Sequence, residues 1–275
     1  MLKQRVITAI VLIVLLGGVL YFSYLPAVGQ GFAALLSLIA IYELFHNGKT
    51  EKTKIWCWIL GLLSAGFTGW FCFFRPACYP WILIGVLAAF MLIGVWNMLT
   101  LGKFEIRRPL FLFVISLCFP VLYSCIPALR LEGNGVGGLA LIFWACFLTD
   151  TGAYFVGRRF GKRKLAPVIS PHKTVEGYIG GVGINIVGFT LLALVLRLCF
   201  AEPVAIWEFS LLGLVTGVLD QFADLSLSAI KRHMGIKDFG RLMPGHGGVL
   251  DRFDSLLYVG PCVYIFVMVV NKLYG

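Results

Sequence analysis

The chain has 275 residues, 60% of them hydrophobic and only 13% charged, with a formal net charge of +10 and a mean hydropathy of +0.92. A water-soluble domain of this length carries far more charged surface, so a soluble globular fold is excluded. Apolar stretches long enough to cross ~30 Å of hydrocarbon recur along the whole sequence, and the fold class is an all-α polytopic membrane protein.

In chain order, nine spans are predicted, at 6–25, 31–46, 55–74, 80–100, 110–130, 136–156, 177–200, 207–230 and 250–271. The first opens with Lys3 and Arg5, as a secretory signal does. Its apolar run exceeds the ~7–15 residues of a signal core, so it reads as a membrane helix. Placing the N-terminus in the cytoplasm puts segments 1–5, 47–54, 101–109, 157–176 and 231–249 on the inside. Of the 23 Lys and Arg, only Arg75, Arg130, Arg197 and Lys272 then fall on the opposite side. That is the positive-inside distribution. The net charge is thus a topology signal, and a nucleic-acid partner is not expected, because the cations alternate with spans. The eight cysteines show neither a C-x-x-C motif nor zinc-ligand spacing. Cys72 and Cys78 flank one short loop and are the pair left open for a disulfide.

Spans one to five hold a single acid, Glu43, near an inside end. Glycines and acids gather after residue 131. One integrated membrane domain is therefore expected, with 1–130 as scaffold and 131–275 as the catalytic region, whose cytoplasmic loops are 157–176 and 231–249. Gly177/Gly181 and Gly213/Gly217 have the G-x-x-x-G spacing of closely packed membrane helices.

Five aspartates, Asp150, Asp220, Asp224, Asp251 and Asp254, fall in or at the edges of spans. An Asp near mid-bilayer costs about 2.5–3.5 kcal/mol on insertion scales. Neutralisation by Lys231, Arg232 or Arg252, or protonation, would account for any one of them; five together point to a shared purpose. Asp220, Asp224 and Ser228 recur every four residues, on one helix face. Asp251 and Asp254, three apart, read as a second pair at the start of span nine. All five can face one polar cavity open to the cytoplasm. Such carboxylate pairs suit Mg²⁺, which takes one or two carboxylates together with substrate phosphate oxygens.

Two loops flank these acids. Ser170-Pro171-His172-Lys173-Thr174 combines a turn, hydroxyls and a cation just before span seven, where a helix start favours phosphate. Pro244-Gly245-His246-Gly247-Gly248 leads into span nine. Its glycines allow close approach of backbone to a ligand, and His246 suits phosphate binding or proton transfer. A tight reentry turn is the plainer reading of the same residues.

From Ser228 to Asp254 the motifs S-x-x-K-R, K-D-x-G, P-G-H-G-G and D-R-x-D follow one another. Upstream stand Asp150-Thr151-Gly152-Ala153-Tyr154 and Ser170-Pro171-His172-Lys173-Thr174 with Glu176-Gly177. Together they resemble the phosphatidate cytidylyltransferases (CDP-diacylglycerol synthases). The resemblance covers about 148–255 well and 1–130 only in general terms; Met243 is a conservative departure. It implies condensation of CTP with phosphatidic acid to CDP-diacylglycerol and pyrophosphate, in phospholipid biosynthesis at a bacterial cytoplasmic (inner) membrane. It implies Mg²⁺ or Mn²⁺, with room for a second cation, and a homodimer in the lipid bilayer. By motif position, Asp224 and Asp251 are the first metal ligands, with Asp220 and Asp254 outside them or on a second ion. Lys231, Arg232 and His246 join Asp224, Asp251 and Asp254 as catalytic candidates. Asp150, Ser170, Lys173, Thr174, Ser228, Lys237, Asp238, Gly247, Gly248 and Arg252 are the substrate-binding candidates.

The alternatives are another CTP-dependent lipid enzyme, such as a polyprenol-type kinase or an ether-lipid CDP synthase, and a cation transporter. A transporter needs polar groups through the full bilayer thickness. Here the outer halves of the spans are almost free of acids.

Overall fold

The computed structural model describes residues 17–18, 21, 25–46, 59, 62–63, 66, 78–100, 108–130, 132, 135–200, 204–240, 242–243 and 247–274. Its helices are α1 (Pro26–His46), α2 (Tyr79–Leu99), α3 (Arg108–Tyr123), α4 (Cys125–Leu129) and α5 (Gly135–Phe160), followed by α6 (Val175–Cys199), α7 (Ile206–His233) and α8 (Leu256–Tyr274). Two short strands, β1 (Lys164–Ala166) and β2 (Ser170–Thr174), lie between α5 and α6. Among the described residues seven helices are long and apolar enough to cross a membrane, with Leu112–Leu129 counted as one through α3 and α4. They correspond to seven of the nine expected spans. The expected spans 6–25 and 55–74, and Cys72 of the suggested pair, lie largely or wholly outside the described residues.

Two expectations are corrected. The all-α reading misses the hairpin: β1 and β2 pair antiparallel, with Lys164 opposite Thr174 and Ala166 opposite Ser170. The ninth span opens later than expected, because α8 begins at Leu256 and residues 249–255 form turns. Asp251 and Asp254 therefore sit on a turn rather than on a helix face.

Small residues set the packing of α5, α6 and α7. A Cβ added to Gly181 would lie 2.7 Å from the Thr149 carbonyl of α5, and one at Gly213 would lie 2.9 Å from the Asn185 carbonyl of α6. Backbones approach this closely only where side chains are missing, which is the packing role the G-x-x-x-G spacing suggests. Asn185 then donates through Nδ2 to the Gly213 carbonyl (2.8 Å) and to Thr216 Oγ1 (3.0 Å), tying α6 to α7 inside the apolar layer.

The earlier helices wrap the other side of α7 and α8. Tyr258 of α8 stacks on Phe90 of α2, with centroids 5.1 Å apart, and shares a 2.9 Å hydrogen bond with Ser226 of α7. Tyr123 at the end of α3 donates to the Phe253 carbonyl at 3.2 Å, and the Phe253 ring meets Phe32 of α1 edge-on. The 249–255 turn is thus held from outside by α1 and α3, not only by the helices on either side of it in sequence.

Candidate active site

The loop after α5 folds back on itself and presents one lysine. Glu176, in the first turn of α6, accepts the Lys162 N–H at 3.0 Å and also the Arg163 N–H. Thr174 caps α6 by accepting the Gly177 N–H at 3.1 Å. With both ends fixed, β2 carries Lys173 to Asp224 of α7, where Nζ and Oδ2 are 2.7 Å apart. Ser228, one turn further along α7, donates to the other oxygen of Asp224 at 3.3 Å. This realises the shared face expected from the four-residue spacing.

A second pair forms a short way off. Lys231 Nζ lies 2.9 Å from Asp251 Oδ1 and 5.4 Å from the centroid of the Phe239 ring. Asp251 Oδ2 accepts two backbone N–H groups, from Phe239 at 2.8 Å and from Gly248 at 3.0 Å. Gly247 sits beside this carboxylate with φ +86°, a left-handed conformation that L side chains rarely adopt. Lys231 also acts electrostatically on Asp224 and Asp254, so its charge reaches the first pair as well.

Asp150 and Asp254 lie within electrostatic reach of each other and of both Asp220 and Asp224. Asp220 is 1% exposed, and among the described residues its Oδ1 is buried without a hydrogen-bond partner. An orphaned carboxylate oxygen among other carboxylates suits a hard cation with oxygen ligands. The chemistry of the donor set therefore fits a divalent metal, although among the described residues no three His, Cys, Asp or Glu side chains are already gathered around one point. Asp224 and Asp251 each hold a lysine instead.

The remaining candidates divide. Asp150, Lys173 and Thr174 line a cavity of about 470 Å³ with Tyr154, Tyr178 and Gln221. Lys237 and Asp238 line a different cavity of about 700 Å³, together with Tyr42, Glu43 and His46 of α1. Arg232 works as a strap in this arrangement, donating to the Ile169 carbonyl beside the hairpin (3.2 Å) and to the Ile236 carbonyl (3.3 Å). Arg252 is exposed and within electrostatic reach of Asp150. Ser170 opens β2 at the far end of the hairpin from Lys173. Gly247 and Gly248 shape the turn around Asp251, whereas His246 lies outside the described residues. The residue that sequence reasoning gave no role is Glu43, whose carboxylate reaches the same turn. Its signal was there: a lone acid in the first five spans, placed toward an inside end.

The cytidylyltransferase family model matches residues 3–270. The chain belongs to the cytidylyltransferase family. A phosphatidate cytidylyltransferase of Bacillus subtilis is 34% identical over 97% of this chain and 97% of its own length. Proteins of the same name from Staphylococcus epidermidis and Staphylococcus aureus are 33% and 31% identical, each across 97% of this chain and 99% of their own. These matches run through the region before residue 130, where the motifs of the sequence are sparse.

Proposed function

We propose that this chain is a membrane-embedded phosphatidate cytidylyltransferase, condensing CTP with phosphatidic acid to give CDP-diacylglycerol and pyrophosphate. One observation carries the reading. Two lysine–aspartate pairs, Lys173–Asp224 and Lys231–Asp251, gather from three separate segments of a chain whose relatives carry that name over 97% of its length.

A phosphatidate oxygen attacks the α-phosphorus of CTP; the new P–O bond forms as the bond to pyrophosphate breaks. The nucleophile is already an anion at neutral pH, so no strong general base is needed. The obstacle is charge, because an anionic lipid must meet an anionic nucleotide. Lys173 and Lys231 are placed to exchange carboxylate partners for phosphate oxygens and to offset the charge that moves onto pyrophosphate. Arg232 orients the hairpin that carries Lys173, and Arg252, Lys237 and His246 add positive or titratable groups at the rim. Asp224 and Asp251 would hold Mg²⁺ or Mn²⁺, and Asp220 and Asp254 would support them or hold a second cation. Such an ion supplies Lewis-acid stabilisation of the phosphoryl oxygens. Asp251 would have to release Lys231 to take part.

The site faces the cytoplasmic side of a bacterial cytoplasmic membrane, and the chain forms a homodimer. The Lys/Arg distribution favours that orientation, and the relatives are bacterial. The 470 Å³ cavity beside Lys173 receives the lipid phosphate, because residues of spanning helices α5 and α6 line it together with Lys173. The test is pyrophosphate release by purified protein given CTP, phosphatidate and Mg²⁺, with each omitted in turn. Release that needs all three is expected. Release that persists without phosphatidate would contradict the assignment.

A further inference from the structure

We infer that Glu43, from the first described spanning helix, is a positioning residue that sets the geometry of the Asp251 turn; the inference rests on the reaction proposed above. Glu43 is 1% exposed. Its two oxygens accept consecutive backbone N–H groups, Val249 to Oε1 at 2.9 Å and Leu250 to Oε2 at 2.8 Å. The preceding N–H, from Gly248, goes to Asp251 at 3.0 Å. Three successive amides therefore point at two carboxylates. Backbone amides aligned in this way form an anion-binding concavity, and here its occupants come from the chain itself.

The fit is close enough to dictate neighbouring residues. A Cβ on Gly248 would fall 2.5 Å from Glu43 Oε2 and 2.7 Å from the Gly240 nitrogen. A Cβ on Gly240 would collide with Glu43 Oε1. The two glycines of K-D-x-G and P-G-H-G-G thus keep room for this carboxylate. Across the Gly240–Gly248 contact, Phe239 donates to Asp251. Glu43, Asp251 and Lys231 are in this way joined by one short run of backbone. Among the described residues Glu43 accepts from the backbone of the turn that carries Asp251, so it acts through Asp251 and Lys231. A carboxylate suits the task because it offers two acceptors side by side, whereas an amide offers one acceptor and one donor.

The test uses the full chain in detergent micelles or proteoliposomes, with Glu43→Gln as the main variant. The amide in that variant can accept only one of the two backbone N–H groups. A fall in kcat of about tenfold to a hundredfold is expected, with both KM values within about twofold, the profile of interactions that matter only in the transition state. Glu43→Asp keeps two acceptors on a shorter arm and should recover part of the rate; it replaces the Gln variant if that one does not fold. Ser37→Ala removes another buried polar group of the same helix, one that donates to the Ala33 carbonyl of its own helix, and should keep the wild-type kcat. Hydrogen exchange supplies a readout independent of substrate: amides 248–250 should exchange about tenfold faster in Glu43→Gln, while those of 33–41 stay unchanged. Wild-type kcat per folded molecule in Glu43→Gln, or unchanged exchange at 248–250, would overturn the positioning role. A wild-type protein that releases no pyrophosphate would sink the assigned reaction instead, and the exchange comparison would still decide the part played by Glu43.

Discussion

The two lysine–aspartate pairs are alike in chemistry and unlike in surroundings. In the first, Lys173 and Asp224 are 20% and 41% exposed at the side chain; in the second, Lys231 and Asp251 are 11% and 6% exposed. Lys173 of the open pair lines a cavity, and Asp224 is held by the mutual contact and by Ser228. The closed pair is set into backbone, with Asp251 accepting two amides as well as the lysine. An exposed pair contributes little to stability and can trade partners easily. A buried pair that loses one member leaves an uncompensated charge. The open pair is accordingly suited to meeting substrate, and the closed pair to holding the shape of the site while keeping one cation ready.

Substitutions should separate these roles. The largest effect is expected from Asp251→Asn, which strands Lys231 and weakens the hold on two amides. Activity should fall by about a thousandfold or more, and stability by about 3–5 kcal/mol, the usual cost of breaking a buried pair. Labelled cytidylyl transfer into lipid and thermal unfolding in detergent measure the two quantities. Asp224→Asn should lose activity on a similar scale, about a hundredfold to a thousandfold, yet change stability by no more than about 1 kcal/mol. Equal destabilisation by the two variants would erase the distinction between the pairs. Lys173→Met comes next: a drop in kcat/KM of about a hundredfold is expected, with the protein still folded. The smallest effect belongs to Thr174→Val, which removes the α6 cap and should cost about 1 kcal/mol, with only a few-fold loss of rate from looser delivery of Lys173.

The spanning helices are written plainly in the sequence, because a run of some twenty apolar residues has few alternatives in a bilayer. The Asp224–Ser228 contact was readable for a similar reason, since a helix fixes which residues meet. The hairpin was not. Its strands are three and five residues long, carry Pro171 and several charges, and gain their form from Glu176 and Thr174 at the base of α6. Nor was the turn at Asp251. The run V-L-D-R-F-D-S-L-L has helix-compatible polarity, but the Ser255 N–H goes to the preceding Asp254 side chain at 2.8 Å rather than to a carbonyl one turn back, and the turn ahead of it is fixed by the hold of Asp251 and Glu43 on the amides of 248–250. Glu43 lies 206 positions before Val249, so its part in fixing the turn is out of reach of any local pattern. Lys237 and Asp238 follow the turn at Gly235, whose φ is +70°, and line a second cavity together with α1.

The claim at the centre of this account is transfer of the cytidylyl group to a lipid phosphate. It is tested most directly by giving purified protein and phosphatidate-containing micelles CTP labelled at either the α- or the γ-phosphorus. Label from the α position should enter the lipid fraction, with γ label leaving as pyrophosphate. Appearance of γ label in the lipid would mean phosphoryl transfer by a kinase and would contradict the account.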